Sequence, residues 1–252
     1  SVYNQDDYYI TIPISLAPYE STFVVFRAGD TEDHFTTIEG NNQHPPYLSF
    51  LKEGICIWED GVFDLKRKSN SEVVNNNIDV MPLEGAWEIY FNEKWGAPER
   101  VVFPELQSWT ESENSGVKYY SGIARYEKSF VYNVNSNALE HSKIYLDLGD
   151  LSHIAEVWLN DKPLGITWAK PYRFDVTSVL KAGPNSLVIK VANTWNNRLV
   201  GDALTGDKYT STNIESTVVP NGFFIHAPWD EAPLIKSGLF GPVTLTTIKS
   251  VN

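Results

Sequence analysis

Three short stretches of this chain combine flat aromatic rings with side chains that hydrogen-bond hydroxyl groups. Trp168, Tyr172 and Arg173 form the first. Trp195, Asn196, Asn197 and Arg198 form the second, a strand-to-loop exit that runs on into Gly201-Asp202. Trp229-Asp230 is the third, inside a segment from Asp202 to Gly238 that is rich in Thr, Gly and Pro and reads as a long loop. Sugar rings present C–H faces that stack on Trp and Tyr, while Asn, Asp and Arg bond their hydroxyls. Long loops of this kind often carry function. The same residues have a structural alternative. Trp168 and Tyr172 suit the plugged end of a sandwich, and Arg stacked on Trp is a common anchor between packed surfaces. Trp58, Trp87, Trp95, Trp109 and Trp158 read as core or interface residues, with Trp158 set by alternation on the face opposite Val157 and Leu159.

Other chemistries find no support in the residues. Glycoside hydrolysis needs two carboxyl groups flanking the bond, and no such pair stands out; Asp230 and Glu231 read as a solvated loop. There is no H-E-x-x-H, no G-x-S-x-G and no phosphate-cradling glycine loop. His34, His44, His141, His153 and His226 lack metal-ligand spacing. The one cysteine, Cys56, lies in the apolar run GICIW and reads as a buried thiol, so neither a disulfide nor a thiolate cluster forms within the chain. A net charge of −12 disfavours nucleic acid and anionic membrane surfaces as partners. No apolar run is long enough to insert into a membrane as a helix.

The elements that must position these residues are strands. The chain has 252 residues, enough for one large or two modest cores. It opens at Ser1 without Met or a visible signal peptide and enters a strand pattern almost at once, as a mature fragment or a piece of a longer protein would. Alternation puts Ile10, Ile12, Ile14 and Leu16 on one face of a strand over 8–16, and the apolar run from Thr22 to Arg27 suits a strand buried on both faces. Gly29-Asp30, Gly40-Asn41-Asn42 and Pro45-Pro46 break the chain, and Glu59-Asp60-Gly61 reads as a hairpin turn. The polar run from Lys68 to Asn77 reads as a loop or linker, which sets a boundary near residue 78 between a small β-rich unit, 1–78, and a larger one, 79–252. In the second unit the alternation predicts three inward faces: Ile144, Leu146 and Leu148; Ala155, Val157 and Leu159; Leu187, Ile189 and Val191. Asn160-Asp161 and Gly183-Pro184-Asn185 mark turns, and a single helical turn is predicted over 176–181, capped by Asp175 or Thr177. Short strands separated by Gly, Pro and Asn turns make the fold class all-β, a β-sandwich.

Residues 83–248 resemble the galactose-binding-like jelly roll that serves as the sugar-binding domain of glycoside hydrolase family 2. The resemblance lies in LEGAW at 83–87, LDLGDLSHIAEVWLNDKPLG at 146–165, PYRFDVTSVLKAGPNSLVIKVAN at 171–193 and SGLFGPVTL at 237–245. Family members usually carry Asn-Gly where this chain has Asn160-Asp161. More narrowly, WAKPYRFDVT, NTWNNRL with the following Gly-Asp, KYYSGIARYEKSF and the early LAPYESTFVVFR look like the C-terminal region of glycoside hydrolase family 106, large bacterial α-L-rhamnosidases.

That resemblance implies a non-catalytic region which supports a catalytic barrel of the same parent chain and contacts carbohydrate, including rhamnose-containing polysaccharide. The barrel would hold the paired carboxylates, and the sequence has none of its alternating βαβα units, so no catalytic residue carries over. On this reading Trp195 and Arg198 serve either a sugar or the dock to that barrel. The resemblance also implies a periplasmic or extracellular location, and it allows a structural calcium ion whose ligands the sequence does not identify. No other cofactor is expected. The remaining alternatives are a free-standing carbohydrate-binding protein, a purely structural module and, last, a small glycosidase.

Overall fold

The computed structural model describes residues 2–14, 16, 21–26, 34–40, 46–51, 54–133, 142–221 and 223–251. Gly29-Asp30, Asn41-Asn42, Pro45, Arg27, His44 and His141 lie outside the described residues. Two antiparallel sheets form a sandwich. The first runs in the order Arg100–Phe103, Trp87–Tyr90, Ile123–Tyr132, Gly183–Ala192, Ile154–Leu159, Lys162–Thr167. The second runs in the order Arg173–Asp175, Ser142–Asp147, Thr244–Val251, Gly54–Ile57, Leu48–Leu51, with Asp79–Pro82 also paired to Thr244–Val251. The predicted inward faces fill the space between them: Ile144, Leu146 and Leu148 meet Ala155, Val157, Leu159, Leu187, Ile189 and Val191 in one buried cluster. Strands solvated on one side show this period of two because successive side chains point to opposite faces.

Aromatic rings close the core at one end. Trp109 stands edge-on to Phe91 and to Tyr120, each at 5.5 Å between centroids. Its Nε1 donates to the Tyr126 hydroxyl at 2.6 Å, which also accepts the Leu239 N–H at 3.0 Å. Gly238 is the residue that lets the chain pass this close, since a Cβ there would sit 2.6 Å from Trp109 Nε1, and its φ of +105° suits only glycine. The Tyr126 hydroxyl is held in its neutral form by burial, which pushes its pKa up.

The tight turn at Asn160-Asp161 is made as expected: both residues adopt positive φ, 52° and 62°, between paired strands. The expected turn at Gly183-Pro184-Asn185 is narrower, because the strand already begins at Gly183 and Asn185 is buried, bonding Lys181 and Gly183 carbonyls. The helical turn at 176–180 is present: Val179 and Leu180 N–H groups both bond the Val176 carbonyl, and Asp175 accepts the Thr177 N–H.

Residues before 79 depart from the expected pattern in four places. Ser71–Asn76 is a strand, not a loop; it pairs with Gly61–Arg67 at the edge of a three-stranded sheet, where Ser71, Glu72 and Asn75 face solvent and the buried Asn76 donates to the Ile57 and Glu59 carbonyls. Glu59-Asp60 is not a hairpin turn, since Gly54–Ile57 pairs with Leu48–Leu51 and Gly61–Arg67 pairs with Phe35–Gly40, so the chain passes there from one sheet to another. The predicted strand over 8–16 shrinks to Ile10–Thr11, paired with Asn4–Gln5, and Ile10, Ile14 and Leu16 are exposed. The run after Thr22 forms no strand among the described residues and is not buried: Phe23 is 94% exposed. Alternation marks an apolar face but not the surface that covers it. Cys56 is buried and free, and burial pushes its thiol pKa up, with the Tyr145 hydroxyl pulling the other way.

Tyr126→Phe keeps the ring and strands the Trp109 and Leu239 donors, so stability is expected to fall by about 1–3 kcal/mol for each donor left unpaired, read from urea unfolding. Burial raises the Asp175 carboxyl pKa, but the Thr177 hydroxyl and amide and the Lys143 ammonium outweigh it, and the net shift is downward. A depressed folded pKa gives stability that is present above the unfolded value and is lost as pH falls through the folded one. Asp175→Asn is therefore expected to flatten the fall in the unfolding midpoint between about pH 5 and pH 3 relative to the parent chain.

Candidate functional site

The second aromatic stretch is not a loop exit. Asn196–Thr205 is an α-helix, entered through Trp195 without a side-chain cap and ended by Gly206 in the left-handed conformation. Its Asn-Asn start and the glycine at 201 mask the helical pattern of Leu199, Val200, Ala203 and Leu204. Gly201 is needed within the helix because a Cβ would fall 2.5 Å from Tyr119 Cβ and 2.6 Å from Arg198 Nη2.

The two asparagines tie the helix to the loop before the Gly238 strand. Asn197 donates to the Ile235 carbonyl at 2.7 Å and to Ser237 Oγ at 2.9 Å, and accepts from the Ile235 N–H at 2.8 Å. Asn196 donates to the Pro233 carbonyl at 3.1 Å. Arg198 is 2% exposed. Its Nε stands 2.8 Å from Asp202 Oδ1 as an ion pair whose angle is not that of a hydrogen bond, and neither atom has another partner among the described residues. The other Asp202 oxygen accepts from the N–H and hydroxyl of Thr210 at 2.8 and 2.7 Å. That clamp folds the chain back so that Tyr209 lies over the guanidinium, 4.7 Å from ring centroid to Cζ.

Two ring contacts flank this anchor. Trp195 stands edge-on to Trp95 at 5.0 Å. Tyr209 packs against Gly96, the next residue after Trp95, so closely that a Cβ there would lie 2.7 Å from the ring. Trp195 is 49% exposed, Tyr209 39% exposed and Trp95 half-buried. Partly exposed rings with fixed positions can stack on the apolar face of a flat ligand. Trp95 lies far from Trp195 along the chain and Tyr209 lies beyond the helix that Trp195 opens, so no local pattern groups the three rings.

The remaining predicted residues lie elsewhere. Trp229 donates its ring N–H to the Ile214 carbonyl and Asp230 is exposed beside it. Trp168 follows the edge strand Lys162–Thr167 and is 71% exposed. Tyr172 is buried and Arg173 half-buried; both line a cleft that also reaches Tyr47. Among the described residues no group of three His, Cys, Asp or Glu side chains could hold a metal, so the structural calcium allowed by the sequence finds no ligand set. No helix among the described residues is long and apolar enough to cross a membrane.

Residues 112–237 match the family described as glycosyl hydrolase 2 galactose-binding domain-like, and the chain belongs to that family. It is similar to a Formosa agariphila protein named "Putative beta-glucuronidase", 38% identical over 200 residues that make up 73% of this chain and 17% of that protein. Among solved structures it resembles a rhamnosidase from Novosphingobium sp. PP1Y, with a TM-score of 0.59 and 26% identity over 84% of this chain and 25% of that one. A β-D-glucuronidase from Dictyoglomus thermophilum has a TM-score of 0.46 and 20% identity over 68% of this chain and 28% of that one. The chain thus spans 17% of the curated relative and 25% of the rhamnosidase. All of the residues singled out in the three aromatic stretches fall within the matched 112–237.

Replacing Arg198 with Met leaves the Asp202 carboxylate without its cation in a largely buried site. Arg198→Met is expected to cost about 3–5 kcal/mol in urea unfolding, and to release the 206–210 segment to limited proteolysis at a lower protease concentration than the parent chain requires.

Proposed function

We propose that this chain is the non-catalytic accessory region of a rhamnosidase-like glycoside hydrolase of the family 106 kind, acting in the periplasm or outside the cell. It supports the catalytic part of the same parent chain and contacts carbohydrate through Trp95, Trp195 and Tyr209. The observation that carries the contact is the edge-on pair of partly exposed rings, Trp95 and Trp195, with Tyr209 held on the buried Arg198 and packed against Gly96 beside them. Asn196 and Asn197 position the helix rather than meet ligand on this reading, because their amides are bonded to the 233–237 loop. Residues 1–78 then act as a small β-rich unit set against the jelly roll of 79–252. The supporting role is favoured by Tyr8, Phe23, Val25 and Phe26, an exposed apolar series of the kind that marks contact with another protein surface.

Binding to a glycan panel that includes rhamnose-containing polysaccharides, followed by titration calorimetry, tests the contact. Saturable binding is expected, with Trp195→Ala weakening it about tenfold or more while the far-ultraviolet spectrum and the unfolding midpoint stay close to those of the parent chain. Binding unchanged by Trp195→Ala removes the platform from the proposal. Absence of binding at millimolar sugar leaves the purely structural module as the reading, with the apolar series as its working surface.

A further inference from the structure

The cleft beside the Arg173–Asp175 strand contains a second, differently built site. It has a volume of about 400 Å³ and is lined by Tyr47, Asp147, Gly149, Lys170, Tyr172 and Arg173 among others, a size that accommodates a small ligand. Arg173 is fixed there from two sides. Its Nε donates to Asp147 Oδ2 at 2.6 Å, and the Gly149 N–H holds the other oxygen of that carboxylate at 2.9 Å. Its guanidinium lies on the face of Trp58, 3.9 Å from the ring centroid, and 5.7 Å from that of Tyr47. Among the described residues no protein acceptor takes a hydrogen bond from either Nη. The guanidinium is therefore positioned by one N–H and one ring face, and among the described residues its remaining donors are unspent. Lys170 reaches the same cleft and stands 3.2 Å from Asp150, an exposed pair that water loosens.

We propose that this cleft binds a uronate unit of a polysaccharide. The two Nη groups of Arg173 hold the carboxylate bidentately, Lys170 adds charge, and the sugar ring lies against Tyr47. A fixed planar fork of donors matches the two oxygens of a carboxylate in a way that separate hydroxyls do not. The one acidic residue that lines the cleft, Asp147, already faces Arg173, and Asp150 beside the cleft faces Lys170, so an arriving carboxylate meets donors rather than bare like charge. The chain's net charge of −12 opposes binding mainly through carboxylates close to the cleft, since the field of exposed charges is screened over about 8 Å at physiological salt. The inference rests on the carbohydrate reading for the ligand's ring, but its residues are not those of the Trp195 platform.

Calorimetric titration of the whole chain with D-galacturonic and D-glucuronic acids, each compared with its methyl ester, tests this. At least one acid is expected to bind about tenfold or more tightly than its ester, with affinity falling as salt rises. Arg173→Lys and Lys170→Gln should each weaken the acid severalfold and leave the ester unchanged, while Trp195→Ala should leave acid binding intact. Lys170→Gln changes an exposed side chain and serves where Arg173→Lys disturbs the Trp58 contact. Esters binding as tightly as acids, acid binding unmoved by both variants, or no acid binding at millimolar concentration overturns the inference. If acids fail while Trp195-dependent glycan binding persists, only this site falls; if both fail, the carbohydrate reading falls with it.

Discussion

The strand Thr244–Val251, at the far end of the described chain, ties the rest together. Over Thr244–Thr247 it is paired on both sides, with Asp79–Pro82 and with Ser142–Asp147, and its last residues, Ser250 and Val251, pair with Cys56 and Ile55. Its inward side chains follow the same course. Leu245 belongs to the core between the two sheets, and Val251 belongs to a second buried cluster with Phe35, Ile55, Ile57, Phe63 and Leu65. Neither core is complete without it. Because its partners are far away in sequence, the loop entropy of bringing them together precedes most of the gain from burial. Strands from before residue 79 and strands from after it therefore share backbone hydrogen bonds within one sheet as well as side-chain contacts.

What was legible in the sequence follows from how each element is solvated. The strands at 142–147, 154–159 and 183–192 each bury one face, and Ile144, Val157 and Ile189 sit where alternation places them. Ser71–Asn76 was hidden because an edge strand in a small sheet needs little apolar surface, and its Asn-rich composition resembles a turn. The Phe23 run differs from its expectation for the opposite reason: its apolar composition suggests burial, yet among the described residues nothing covers it. The helix at 196–205 was masked by residues chosen for other duties, since Asn197 bridges to Ile235 and Gly201 makes room for Tyr119 and Arg198. The aromatic grouping of Trp95 with Trp195 and Tyr209 is purely tertiary and has no local pattern to read.

The two arginines show one side chain used in two ways. At Arg198 the guanidinium is enclosed: Asp202 faces Nε, the Trp95 carbonyl accepts from Nη1 at 3.4 Å and Tyr209 covers a face. At Arg173 a carboxylate and a tryptophan again fix the group, but among the described residues no acceptor takes a hydrogen bond from Nη1 or Nη2. Along the chain each arginine stands near a tryptophan, Arg198 near Trp195 and Arg173 near Trp168. In the structure Arg198 lies under Tyr209 rather than Trp195, and Arg173 lies on Trp58 rather than Trp168. Adjacency along the chain does not fix which ring an arginine meets, because residues near a strand or helix end point toward whatever packs across from them.

A buried ion pair is a poor device for stability alone, since desolvation of both charges offsets much of their attraction and apolar residues of similar size often serve as well. The Arg198–Asp202 pair does something that apolar residues would not. Asp202 spends one oxygen on Arg198 and the other on the Thr210 amide and hydroxyl, so a single carboxylate sets both the guanidinium and the returning chain that carries Tyr209. An apolar substitute could fill the volume but would leave the Thr210 donors without their acceptor and the ring of Tyr209 free to turn. Rings already held in place lose less freedom when a ligand stacks on them. The charge pair is thus better explained by the fixed position of an exposed ring than by its contribution to folding, and that is the strongest physical reason to look for a ligand on this face of the molecule.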